Sequence, residues 1–180
     1  MSWSNAPRLL LAFALAGLTA GCFQPLYGDK AVGGADVGDK LAAVEVVPIN
    51  LPNGTRVARV GGEVRNELIY ELTGGAGVAS PTYRLDIKMA DTVVSVIVDV
   101  TSGRPDVQNY GIDATYTLID TTTGKAVVNG ATFSRVSYNI PGQQQRFAGD
   151  RGLRDAENRA AKVIAENIRS RLASYFTSGT

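Results

Sequence analysis

The sequence predicts an α+β two-layer sandwich, with two helices packed on one face of a four-stranded, mostly antiparallel sheet in the order β-α-β-β-β-α. Three observations carry this expectation. Apolar residues recur every three or four positions from Val57 to Leu72 and again from Leu153 to Tyr175, which marks two one-sided helices. Between them lie segments whose apolar residues alternate every second position, as in strands with one buried face. Helices and strands that each have one apolar face satisfy one another by packing in two layers.

The elements follow in order. "AAVEVVPI" (Ala42 to Ile49) is a β-branched run that suits a first strand, and "NLPNGT" behind it supplies turn residues. Val57, Val60, Val64, Leu68 and Leu72 then form the stripe of the first helix, which "GG" at 74 to 75 should end. The first strand, this helix and the next strand could form one right-handed crossover unit. In that second strand Tyr83, Leu85, Ile87 and Met89 alternate with Arg84, Asp86 and Lys88. Past Asp91 the apolar set moves to Val94, Val96, Val98 and Val100, and because a period of two changes parity only through an extra residue, a bulge is expected near Ala90 to Thr92. Tyr110, Ile112, Ala114, Tyr116 and Leu118 make the third strand, "DTTTG" (Asp120 to Gly124) a compact hairpin loop, and Lys125 to Asn139 the fourth strand. The last helix, from about Asp150 to Phe176, places Leu153, Ala156, Ala160, Val163, Ile164, Ile168, Leu172 and Tyr175 on one stripe.

Composition narrows the function. With 180 residues the chain is long enough for one domain with a sizeable core. Lys and Arg number 18 against 17 Asp and Glu, a balance that gives no reason to expect nucleic acid as a partner. There is no histidine, which removes Ser-His-Asp and Cys-His catalysis and nearly every zinc site. No phosphate-cradling glycine motif, Ser-x-x-Lys or Gly-x-Ser-x-Gly occurs, and Asp150, Asp155 and Glu157 near the start of the last helix suit its dipole without a catalytic role. No enzyme activity, catalytic residue, metal or cofactor is expected.

The one cysteine, Cys22, lies in "LTAGCFQPLYG", after the apolar run "LLLAFALAGLTAG". That run is too short to be an ordinary membrane-spanning helix and ends in small residues, the pattern of a secretory signal. Small residues directly before a cysteine suit a lipoprotein signal, cleaved between Gly21 and Cys22 so that an acylated Cys22 becomes the first residue. A plain signal peptide with an incidental thiol is the alternative, and Thr19 stands where lipoprotein signals usually carry Leu. Cleavage would remove Arg8, leaving 18 − 1 = 17 basic and 17 acidic side chains, so the lipid chains would have to hold the neutral body on the bilayer. The expected organisation is a signal over 1–21, a lipidated N-terminus and flexible tether over 22–42, a folded domain over 43–176 and a disordered tail over 177–180. Arg104 in "TSGRPDVQ" and Lys125 after the hairpin glycine are loop cations that could face an anionic lipid headgroup, or be merely solvated.

"CFQPLYG" resembles the start of mature proteins in the LptE family of LPS-assembly lipoproteins, particularly its alphaproteobacterial branch. The similarity continues through "YRLDI", "ATYTLIDTTTGKAVVNG", "SYNIPG" and "DAENRAAKVIAENIRSRLASYF". The resemblance implies S-diacylglycerol and N-acyl groups on Cys22, and a periplasm-facing lipoprotein anchored in the outer membrane. It further implies pairing with the LptD β-barrel as plug and assembly factor, in the delivery of lipopolysaccharide to the outer leaflet. It also implies the two-helix, four-strand fold. Arg104 and Lys125 would be the candidate lipopolysaccharide contacts. Two other classes stay open: a periplasmic lipoprotein subunit of an inner-membrane-linked lipid transporter, and a lipid-anchored hydrolase, which would need a converging Ser/Lys or carboxylate pair.

Overall fold

The computed structural model describes residues 37–78, 80–98, 100, 105–140 and 146–178. Three helices, α1 (Val37–Ala42), α2 (Arg56–Thr73) and α3 (Arg146–Ser178), pack on a four-stranded mixed sheet of β1 (Val44–Val46), β2 (Tyr83–Val98), β3 (Pro105–Asp120) and β4 (Ala126–Asn139). The sheet order is β1-β2-β3-β4, with β1 parallel to β2 and the other two pairs antiparallel. The α+β sandwich expected from the sequence is therefore present, with one helix more than expected.

That extra helix occupies Val37–Ala42, the last residues of the stretch expected to be a flexible tether. Val37 and Leu41 are four residues apart, so one turn of helix brings both into the core, where this helix packs against α2 and α3. The first strand is shorter than expected, three residues instead of eight, because Pro48 soon follows and the chain turns towards α2.

α2 keeps the bounds its sequence suggests. Thr55, in an extended conformation, accepts a hydrogen bond at its Oγ1 from the Ala58 N–H, satisfying one of the amides the first turn leaves open. At the other end Gly74 takes φ 66°, a left-handed conformation that costs glycine nothing, and its N–H bonds the Tyr70 carbonyl. Val60, Val64, Leu68 and Leu72 are buried on one stripe, and each such burial contributes about 1.5–3 kcal/mol.

α3 runs from Arg146 to Ser178, longer at both ends than its stripe suggests. Thr177 and Ser178, expected in a trailing tail, belong to the helix, and their hydroxyls donate to the carbonyls of Ala173 and Ser174. Alanines at 156, 160, 161, 165 and 173 line its buried face with Ile164, Ile168, Leu172 and Phe176, so the helix lies close on the sheet. Val163, expected on the stripe, is 38% exposed at its margin.

The expected bulge near Ala90 to Thr92 is absent. β2 pairs with β3 without interruption from Tyr83 to Ser95, and the register shifts only between Ser95 and Val98. The change of parity has another cause. Leu85, Ile87 and Met89 face the helices, whereas Val94, Val96 and Val98 are exposed, so the apolar residues change sides while the strand runs straight on. The β3–β4 hairpin is as expected: Gly124 adopts φ 68°, and the Asp120 carboxylate accepts from the Thr122 and Thr123 amides.

Candidate interaction surface

The three long strands outrun the helical layer, and the change begins at Asp91. Residues on the helix-facing side of the sheet are apolar up to Met89 and Ile112, and beyond them polar groups, Asp91, Tyr110, Gln108 and Ser95, are interspersed with Val93 and Val136. α2 starts and α3 passes here, and together they supply Arg56, Arg59 and Glu157.

These residues form one network. Arg56 Nε donates to Asp91 Oδ2 at 3.0 Å, and the Tyr110 hydroxyl donates to the same oxygen at 3.3 Å. Arg56 also lies 3.7 Å from Glu157 Oε1, and its guanidinium carbon sits 5.9 Å from the centre of the Tyr110 ring. Glu157, 3% exposed, accepts from Arg59 at its other oxygen. Further out, the Tyr138 hydroxyl donates to Gln108 Oε1 at 2.6 Å, and Gln108 Nε2 to Ser95 Oγ at 3.2 Å. Burial pushes the Tyr110 hydroxyl far above its ordinary range, and the nearby Asp91 carboxylate adds to the effect. For Arg56 burial opposes the charge, but the hydrogen bond and attraction of Asp91 win and raise it. Both carboxylates are thus held by guanidinium groups, an arrangement that closes the end of the core.

The opposite face of the sheet is polar along most of its length. Arg135 clasps Asp113 with bonds of 2.7 and 2.9 Å and lies 5.5 Å from the centre of the Phe133 ring. Thr117 donates to Asn129, and Ser137 to Asn109. Apolar side chains are exposed on it at Phe133 (67%) and towards the end of β2, through Val94 (58%), Val96 (53%) and Val98 (47%).

Of the residues singled out by sequence, Gly21, Cys22 and Arg104 lie outside the described residues. Lys125 is exposed beside the β3–β4 hairpin. β3 begins at Pro105 and the hairpin that holds Lys125 follows its other end, a strand length of about 50 Å away. The network residues Arg56, Arg59 and Asp91 carried no signal of their own in the sequence. Glu157 did, as a carboxylate beside Ala156 and Ala160 on an apolar stripe. Among the described residues no group of three or more His, Cys, Asp or Glu could hold a metal ion, and no helix is long and apolar enough to cross a membrane.

A short crossover from β1 through α2 to β2, followed by a three-stranded meander and a long closing helix, defines the class of this α+β sandwich. A protein of Caulobacter crescentus CB15 described as a lipoprotein has the same fold, with a TM-score of 0.63, 22% identity, and coverage of 81% of this chain and 98% of the other. Lipoprotein B of Nitrosomonas europaea is similar with a TM-score of 0.54, 14% identity, and coverage of 77% and 90%. No curated protein matches the chain in sequence. The family model of LptE, lipopolysaccharide-assembly, matches residues 41–172, most of the chain and nearly all of the described fold. The chain belongs to the LptE family of lipopolysaccharide-assembly lipoproteins.

Proposed function

We propose that this chain is an outer-membrane lipoprotein, acylated at Cys22 and facing the periplasm, that pairs with the LptD β-barrel as plug and assembly factor for lipopolysaccharide delivery to the outer leaflet. The observation that carries this reading is the family match over 41–172. Two physical features support it. The lumen of a wide membrane barrel is polar, and most of the outer sheet face, with Arg84, Asp86, Lys88, Asp113, Thr115 and Arg135, suits contact with such a wall. The acidic and basic side chains nearly balance, so binding to the bilayer would depend on acyl chains at Cys22. Its role is to bind and position partners, with no chemistry of its own. Arg104 and Lys125 remain the candidate lipopolysaccharide contacts.

The test is affinity purification of the full chain from detergent-solubilised outer membranes, with mass spectrometry of its mature N-terminus. A barrel protein should co-purify in near-equal amount, and the N-terminal residue should be triacylated Cys22. Cys22→Ser should abolish the acylation and release the protein from the membrane fraction. An abundant monomer without a barrel, or an unmodified Cys22, would overturn the reading.

A further inference from the structure

A four-stranded open sheet has edges, and here side chains from the helices guard two of them. At β1, Arg65 of α2 donates its Nε to the Val46 carbonyl at 3.0 Å. At β4, α3 lies alongside: Asn167 donates to Thr132 Oγ1 at 3.0 Å, and Arg159 approaches the Ser137 carbonyl at 3.5 Å. Such cover blunts the tendency of unpaired backbone to recruit another strand.

β2 has a third edge. β1 pairs only with Tyr83, Arg84 and Leu85, and the Val47 amide adds one bond to the Leu85 carbonyl. Past that point, among the described residues, no backbone group pairs with the side of β2 that faces away from β3. Lys88 and Asp91 are charges of the kind that protect an edge, but both come early. From Thr92 to Val98 the sequence "TVVSVIV" has no charge, proline or glycine, and Val94, Val96 and Val98 are each about half exposed.

We infer that Thr92 to Val98 of β2 is a docking edge that accepts an extended, uncharged segment of the barrel partner as a fifth strand. This rests on the barrel pairing proposed above and names the surface that serves it. Unpaired backbone amides and carbonyls call for another strand's backbone, which a lipid surface does not supply. The absence of charge excludes a charged strand, whose side chains would be desolvated without a counter-ion. The valines call for apolar side chains on the partner's matching face. A closed barrel has no free strand edge in its wall, so the segment must come from a loop that enters the lumen. A second copy of this chain is the competing occupant, and the irregular pairing from Ser95 to Val98 confines regular docking to the start of the edge for either one.

The experiment uses the full lipidated chain in envelopes that contain the barrel, with a photo-crosslinking side chain at Val94, Val96 or, as a control on α2 away from the outer sheet face, the exposed Tyr70, and peptide mapping of the adducts. Val94 and Val96 should crosslink at least tenfold more strongly to the barrel than Tyr70 does, and the adducts should fall in one loop. The double variant Val94→Lys/Val96→Lys, at exposed positions, should keep its melting temperature and reduce co-purification of the barrel at least tenfold. Val94→Thr/Val96→Thr should retain co-purification, since it keeps the β-branched, uncharged character of the edge. If wild type co-purifies and the lysine variant does so equally, the docking edge is wrong and the barrel pairing stands. Adducts to lipid, to a second copy or to wall strands would also overturn it. Failure of wild type to co-purify would overturn both.

Discussion

Glu157 is the most deeply buried charged side chain in the sandwich, and its stability rests on two arginines from another helix. A buried carboxylate that loses its partner bears a desolvation penalty that nothing offsets, whereas exposed pairs contribute little. Arg59→Met removes the nearer partner and leaves Arg56 at 3.7 Å, itself half exposed to water. The expected cost is about 1–3 kcal/mol, below the range for a fully buried pair because the Arg59 side chain is 31% exposed. The comparison is Arg159→Met, which breaks an exposed pair with Asp155 one helical turn away and should cost within about 0.5 kcal/mol. Urea unfolding midpoints separate the two. The double variant Arg59→Met/Glu157→Leu should recover most of the loss, since it removes the orphaned charge as well. Equal shifts for the two single variants would mean that Glu157 is well solvated in the folded state.

At the scale of elements, α2 shows how local signals and packing agree. Thr55→Ala removes the acceptor for the Ala58 amide and should destabilise the fold by about 1 kcal/mol, whereas Thr55→Ser should be nearly neutral. Thermal denaturation of the two variants checks this, and an alanine variant as stable as wild type would refute the cap's role. The bounds of α2, the β3–β4 hairpin and the order of the long strands were legible because each depends on neighbours within a few residues. Three features were not. α1 is one and a half turns long, too short for two buried residues to read as a period. The end of β2 misled because an apolar residue was taken to point inward, when Val94, Val96 and Val98 lie on the exposed face. The arginine and carboxylate network lay hidden because its members meet only in the fold, Arg59 and Glu157 standing 98 positions apart.

For the whole molecule, the sheet's tyrosines set an alkaline limit on stability. Burial raises Tyr83, Tyr110, Tyr116 and Tyr138 above the ordinary tyrosine value near 10, most of all Tyr110. A folded-state value above the unfolded one means that the folded state holds protons the unfolded state has begun to release. The contribution of these groups is therefore fully present below about pH 10 and declines as pH rises towards and through their folded values. With no histidine in the chain, none of that residue's titration intervenes around neutral pH. Urea midpoints should thus hold nearly constant from about pH 7 to 9 and fall steadily above about pH 10. Tyr110→Phe should be less stable at neutral pH, having lost its bond to Asp91, yet should show a shallower alkaline slope because one raised group is gone. A midpoint that held to about pH 11 in wild type, or a slope unchanged in Tyr110→Phe, would show that water reaches these hydroxyls in the folded protein and that the polar end of the core is open where the geometry has it closed.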